Sequence, residues 1–93
     1  MSGPAEIILE GPVTVKTVPE IAARVMSQIA SGARRIDFSK VTDVDSAAIA
    51  LALDIQRCAG GLGVSVSILN LPDAFRNLAN LYGVTELIDA PVP

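Results

Sequence analysis

The run Arg34-Arg35-Ile36-Asp37-Phe38-Ser39-Lys40-Val41-Thr42-Asp43-Val44-Asp45-Ser46 decides how this chain folds. Residues 34–38 have the composition of a strand and residues 39–45 that of a loop. A helical pattern begins at Ser46 and runs to about Ala59, where Gly60, Gly61 and Gly63 are placed to stop it. Residues 64–69 then read as a strand again, with Val64, Val66 and Ile68 on one face. Strand, helix, strand is the pattern of a parallel pair joined by a right-handed crossover.

The same alternation extends in both directions. Upstream, residues 6–10 read as a short strand broken by Gly11-Pro12, and Val13 and Val15 alternate with Thr14 and Lys16 as a second one. Thr17-Val18-Pro19-Glu20 has capping-box spacing, and Val18, Ile21, Ala22, Val25 and Ile29 follow at helical intervals before Gly32. Downstream, Pro72 opens a helix whose Phe75, Leu78, Ala79 and Tyr82 share a face, and Gly83 closes it. Residues 84–88 fit either a last short strand or a helical turn. The expected fold is α/β: one small sandwich with a mixed sheet of about four to five strands and three or so helices. One domain spans 1–93, with loose termini at 1–5 and 89–93.

Composition narrows the chemistry. The 93 residues are 51% apolar and 18% charged, too apolar for a disordered chain. The longest unbroken apolar run, Ala47-Ala48-Ile49-Ala50-Leu51-Ala52-Leu53, falls far short of the roughly 20 residues a bilayer needs. The start lacks the basic and apolar regions of a secretory signal, and one cysteine forms no internal disulfide, so the expected setting is soluble and cytoplasmic. No histidine is present, which removes Ser–His and Cys–His nucleophile pairs and imidazole ligands for a metal. The net charge is −3, the basic residues are scattered, and the only aromatics are Phe38, Phe75 and Tyr82. Nucleic acid binding needs a basic face, so that class is set aside.

The helix from Ser46 is unusually apolar on both sides. Ala48, Leu51, Ala52, Ile55 and Ala59 gather on one side, the natural face for the sheet. Opposite lie Ser46, Ala50, Leu53 and Arg57, flanked by Ala47, Ile49 and Asp54, where an ordinary surface helix carries lysines and glutamates. Such an arc suits a docking surface; alternatively, other parts of the domain cover Ile49 and Leu53. Ser46 either caps its own helix, a task Asp45 performs equally well, or presents a hydroxyl for contact or phosphorylation. Asp43-x-Asp45 lacks the remaining spacing of a calcium loop, and Gly60-Gly61-Leu62-Gly63 lacks a P-loop ending, so neither metal nor nucleotide is expected. Cys58 has no activating partner and reads as a small core residue.

The run from Ile36 to Ser46 resembles the signature of STAS domains, with Asp45-Ser46 at the position of that family's Asp-Ser/Thr. STAS domains are small α/β modules of anti-sigma factor antagonists and of the cytoplasmic ends of anion transporters. Val44-Asp45-Ser46-Ala47-Ala48-Ile49-Ala50-Leu51 and Leu78-Ala79-Asn80-Leu81-Tyr82-Gly83-Val84 resemble the MlaB-like members, the cytoplasmic STAS subunits of phospholipid ABC transporters in Gram-negative bacteria. The resemblance implies a non-catalytic accessory subunit without a cofactor. It would bind the transporter's ATPase subunit, sit with the permease at the inner membrane without inserting, and help maintain outer-membrane lipid asymmetry. It also implies that Asp45, Ser46, Ala47, Ala50, Leu53, Asp54 and Arg57 form the partner-binding site. The alternative it implies is an anti-sigma factor antagonist controlled by phosphorylation of Ser46. Those antagonists usually carry glycine soon after the serine, where Ala47-Ala48 stand here.

Overall fold

The computed structural model describes residues 6–89. Three strands, β1 (Glu6–Val13), β2 (Arg35–Val44) and β3 (Ser67–Leu69), alternate with helices α1 (Val18–Ala30) and α2 (Ser46–Leu62), and α3 (Asp73–Tyr82) and α4 (Thr85–Asp89) follow. The sheet order is β1-β2-β3 and both pairings are parallel. Two right-handed crossovers that step across a sheet in the same direction place their helices on the same face. The result is a two-layer α/β structure with one sheet face covered. The expected termini fall outside the described residues, apart from Asp89, which ends α4.

The expected mixed sheet of four to five strands is therefore corrected to a parallel one of three among the described residues. The break at Gly11-Pro12 is not a break. β1 has eight residues and β2 ten, and two register shifts, between Ile8 and Glu10 and between Gly11 and Pro12, absorb the difference as bulges. Val15 consequently lies beyond the strand, in a turn. The stretch expected as a loop from Ser39 is strand as far as Val44. Its polar side chains carry no inward pattern, but β1 supplies hydrogen-bonding partners along its edge. β3 is shorter than expected because it pairs only with Arg35, Ile36 and Asp37. Residues 84–88 resolve as a helical turn, within α4 and its approach.

Packing follows the helical periodicities. Ala48, Leu51, Ala52, Ile55 and Ala59 of α2 are all buried, as are Val25 and Ile29 of α1, with Val18, Ile21 and Ala22 packed against them. Phe38 of β2 meets Phe75 of α3 edge to face, their ring centroids 5.6 Å apart. Tyr82 departs from the expected apolar face of α3 and is half exposed. α2 runs through Gly60 and Gly61 and closes at Gly63, whose φ of 71° suits a residue without a Cβ. The Val64 N–H then returns to Ala59 O at 3.0 Å; Val84 and Ala79 repeat this bond after Gly83.

The capping box foreseen at Thr17 is absent. Its hydroxyl instead accepts from the Thr14 N–H and donates to Pro12 O, each at 2.9 Å, so it fastens the loop rather than the helix. On the open sheet face, Glu6 faces Arg35 at 3.9 Å and Glu10 faces Lys40 at 3.6 Å. Asp37 on that face accepts from the Asn70 side-chain amide at 3.0 Å and from the Ser39 N–H at 2.8 Å. Those bonds, the Asn70 one foremost, hold its carboxyl below the usual carboxylate range.

Gln56 ties α2 to α4 and to the segment that leads into β3. Its Nε2 donates to Val66 O and to Ile88 O, both at 3.1 Å. Gln56→Ala strands two carbonyls and is expected to cost about 1–3 kcal/mol, read as a lowered midpoint in urea unfolding.

Candidate functional site

Val13 pairs with Val44, so the chain leaves β1 and β2 side by side at the same end of the sheet. Asp45 turns the second of these exits into α2. Its backbone is extended, at φ −137° and ψ −167°, and its Oδ1 accepts from the Ala47 N–H at 2.8 Å. A carboxylate in that position satisfies a first-turn donor that the helix cannot. The cap, open in sequence between Asp45 and Ser46, is Asp45. Its other oxygen, Oδ2, accepts from the Val15 N–H at 3.0 Å, across 30 residues of sequence. One side chain thus joins the two exits.

With the cap supplied by its neighbour, Ser46 is left outside. It is exposed, and its hydroxyl has no hydrogen-bond partner among the described residues. Ala50, Asp54 and Arg57 continue the exposed side of α2 from it at helical intervals. Arg57 Nη1 approaches Asp54 Oδ1 at 3.3 Å, a solvent-exposed pair worth no more than about 1 kcal/mol. The outer side of α2 is therefore nearly flat in its first two turns, since serine and alanine project little.

Not every residue of the expected arc lies on that surface. Ile49 is buried, and Leu53 is half-buried and packed against the core, so the domain covers both. Ala47 and Asp45 are also half-buried. Leu53, placed on the outer arc of α2 and in the expected partner-binding site, is thus covered by the domain rather than standing free on that surface. Cys58 is half-buried rather than a core residue.

Sequence reasoning missed Val15, which is 69% exposed and stands beside the head of α2 through the Asp45 bond. It passed for a strand residue because it alternates with Thr14 and Lys16. Leu81, Tyr82 and Leu87 form a second set of exposed apolar side chains, at the corner of α3 and α4. Leu81 could have been found from its place off the Phe75–Ala79 face of α3.

Chemically, the head of α2 offers an unengaged hydroxyl and a flat surface. Among the described residues, no three His, Cys, Asp or Glu side chains gather to hold a metal. The cavity between α3 and α4, lined by Leu71, Phe75, Ala79 and Ile88, is about 10 Å³, room for a single water at most. No described helix is long and apolar enough to cross a membrane.

The domain is thus a two-layer α/β sandwich with an Asp-capped helix and an exposed serine at its head. Residues 2–89 match the family model described as "Mlab, STAS domain", and the chain belongs to that family. Among solved structures, it is similar to the anti-sigma factor antagonist SpoIIAA in its unphosphorylated form, with a TM-score of 0.63 and 21% identity. That match covers 87% of this chain and 78% of the other, and it carries the fold alone. No curated protein matches the chain.

Proposed function

We propose that the chain is a non-catalytic accessory subunit of a phospholipid ABC transporter. It docks on the ATPase subunit through the exposed side of α2, at the cytoplasmic side of the inner membrane. The observation that carries this reading is the surface running from Ser46 through Ala50 to Asp54 and Arg57. Its hydroxyl is unengaged and its first two turns are small enough for close approach. Such a surface suits a flat protein contact better than it suits a substrate, which needs a concave pocket. The match to the MlaB-type family model supports the choice of partner. The residues proposed to meet the ATPase are Ser46, Ala50, Asp54 and Arg57, with Ala47 and Leu53 beneath them.

Purification of the chain from its native host, with mass spectrometry of what accompanies it, tests this reading. The expected companions are an ABC ATPase and its permease, with Ser46 unmodified. Recovery with a serine kinase of a sigma-factor pathway, and with phosphate on Ser46, would establish the anti-sigma antagonist role instead.

A further inference from the structure

The two oxygens of Asp45 serve two different elements, and only one of those bonds is needed to start a helix. Oδ1 caps α2 at Ala47, while Oδ2 holds Val15 in the turn that leaves β1. Thr14 O accepts from both the Thr17 and Val18 N–H groups, at 3.0 and 2.9 Å, so that turn is already closed without Asp45. The tether is therefore not what closes the turn. It fixes where the turn sits relative to Ser46.

Among the described residues, Val15 is the most exposed large apolar residue outside the α3–α4 corner. A valine at 69% exposure, whose backbone N–H is held by the residue that precedes Ser46, adds an apolar side chain near the head of α2. We infer that Asp45 is a positioning residue for docking: its second carboxylate oxygen locks Val15 beside Ser46, so that both meet the partner as one preformed surface. A tethered loop loses less freedom on binding than a free one, and the gain appears in affinity. The inference rests on the proposed docking of the ATPase subunit at this end of α2.

Asparagine separates the two bonds. Asn is as good a cap as Asp, but its amide nitrogen cannot accept from Val15. In the full chain, Asp45→Asn is expected to speed hydrogen exchange of the Val15 amide about tenfold, with the Ala47 amide still protected, and to weaken binding of the purified ATPase subunit about tenfold. Val15→Pro removes the donor and leaves Asp45 in place. Position 15 is the second residue of the turn, where proline fits, and this variant is expected to weaken binding to a similar degree. Unchanged Val15 exchange in Asp45→Asn overturns the tether. Released Val15 exchange in Asp45→Asn, together with wild-type affinity in both variants, overturns its part in docking. A wild-type chain that does not bind the ATPase subunit overturns the docking reading first, and the inference with it.

Discussion

Phe38→Ala is expected to lower the stability of the fold by about 3–5 kcal/mol, more than the loss of both Gln56 hydrogen bonds. Phe38 is fully buried and is one of the two largest side chains in the core. It joins the layers by meeting Phe75 edge to face, with the rings inclined at 68°. Alanine leaves a void between β2 and α3 that the rigid sheet cannot collapse to fill. A chain of this length has roughly 5–14 kcal/mol of total stability, so much of its margin goes with one side chain. Urea unfolding followed by circular dichroism reads the loss. A drop below about 1 kcal/mol would mean that the Phe38–Phe75 contact is not central to the core.

Ala50→Arg is expected to leave the fold intact and to weaken binding to the ATPase subunit by about a hundredfold or more. Ala50 is exposed on α2, one turn beyond Ser46. Arginine is a good helix former, so the free domain should change by no more than about 0.5 kcal/mol. In the complex, the same long charged side chain would have to fit where a methyl group allowed close approach, and its charge would be buried without a partner. Leu53→Asp is a poorer probe, because Leu53 is half-buried against the core and the change damages the domain itself. Thermal melts of the free variant, beside titrations with the ATPase subunit, separate the two effects.

The elements that bury an apolar stripe were legible in the sequence. All five residues expected on the inward face of α2 are buried, because 3.6-residue periodicity reports which side chains face the sheet. The C-terminal half of β2 did not. Ser39, Lys40, Thr42 and Asp43 have no inward pattern, and only the pairing with β1 makes them strand. Gly11-Pro12 misled for a related reason: these residues normally end a strand, and sequence alone does not show the partner strand, bulged at Thr42, that pairs with both. At the candidate site, Asp45 and Ser46 were legible from their place before a helix. Val15 was not, since the bond that brings it there spans 30 residues. Ile49 and Leu53 show the converse limit: helical spacing places them on the outer arc, and only the folded domain shows that the one is buried and the other packed against the core.

The most direct measurement is a calorimetric titration of the purified chain into the purified ATPase subunit of the phospholipid transporter from the same organism. Saturable binding with a dissociation constant of about a micromolar or tighter is predicted, with Ala50→Arg showing no heat over the same range. The absence of saturable binding by the wild-type chain up to about 100 µM, or Ala50→Arg binding at wild-type strength, would contradict docking through α2.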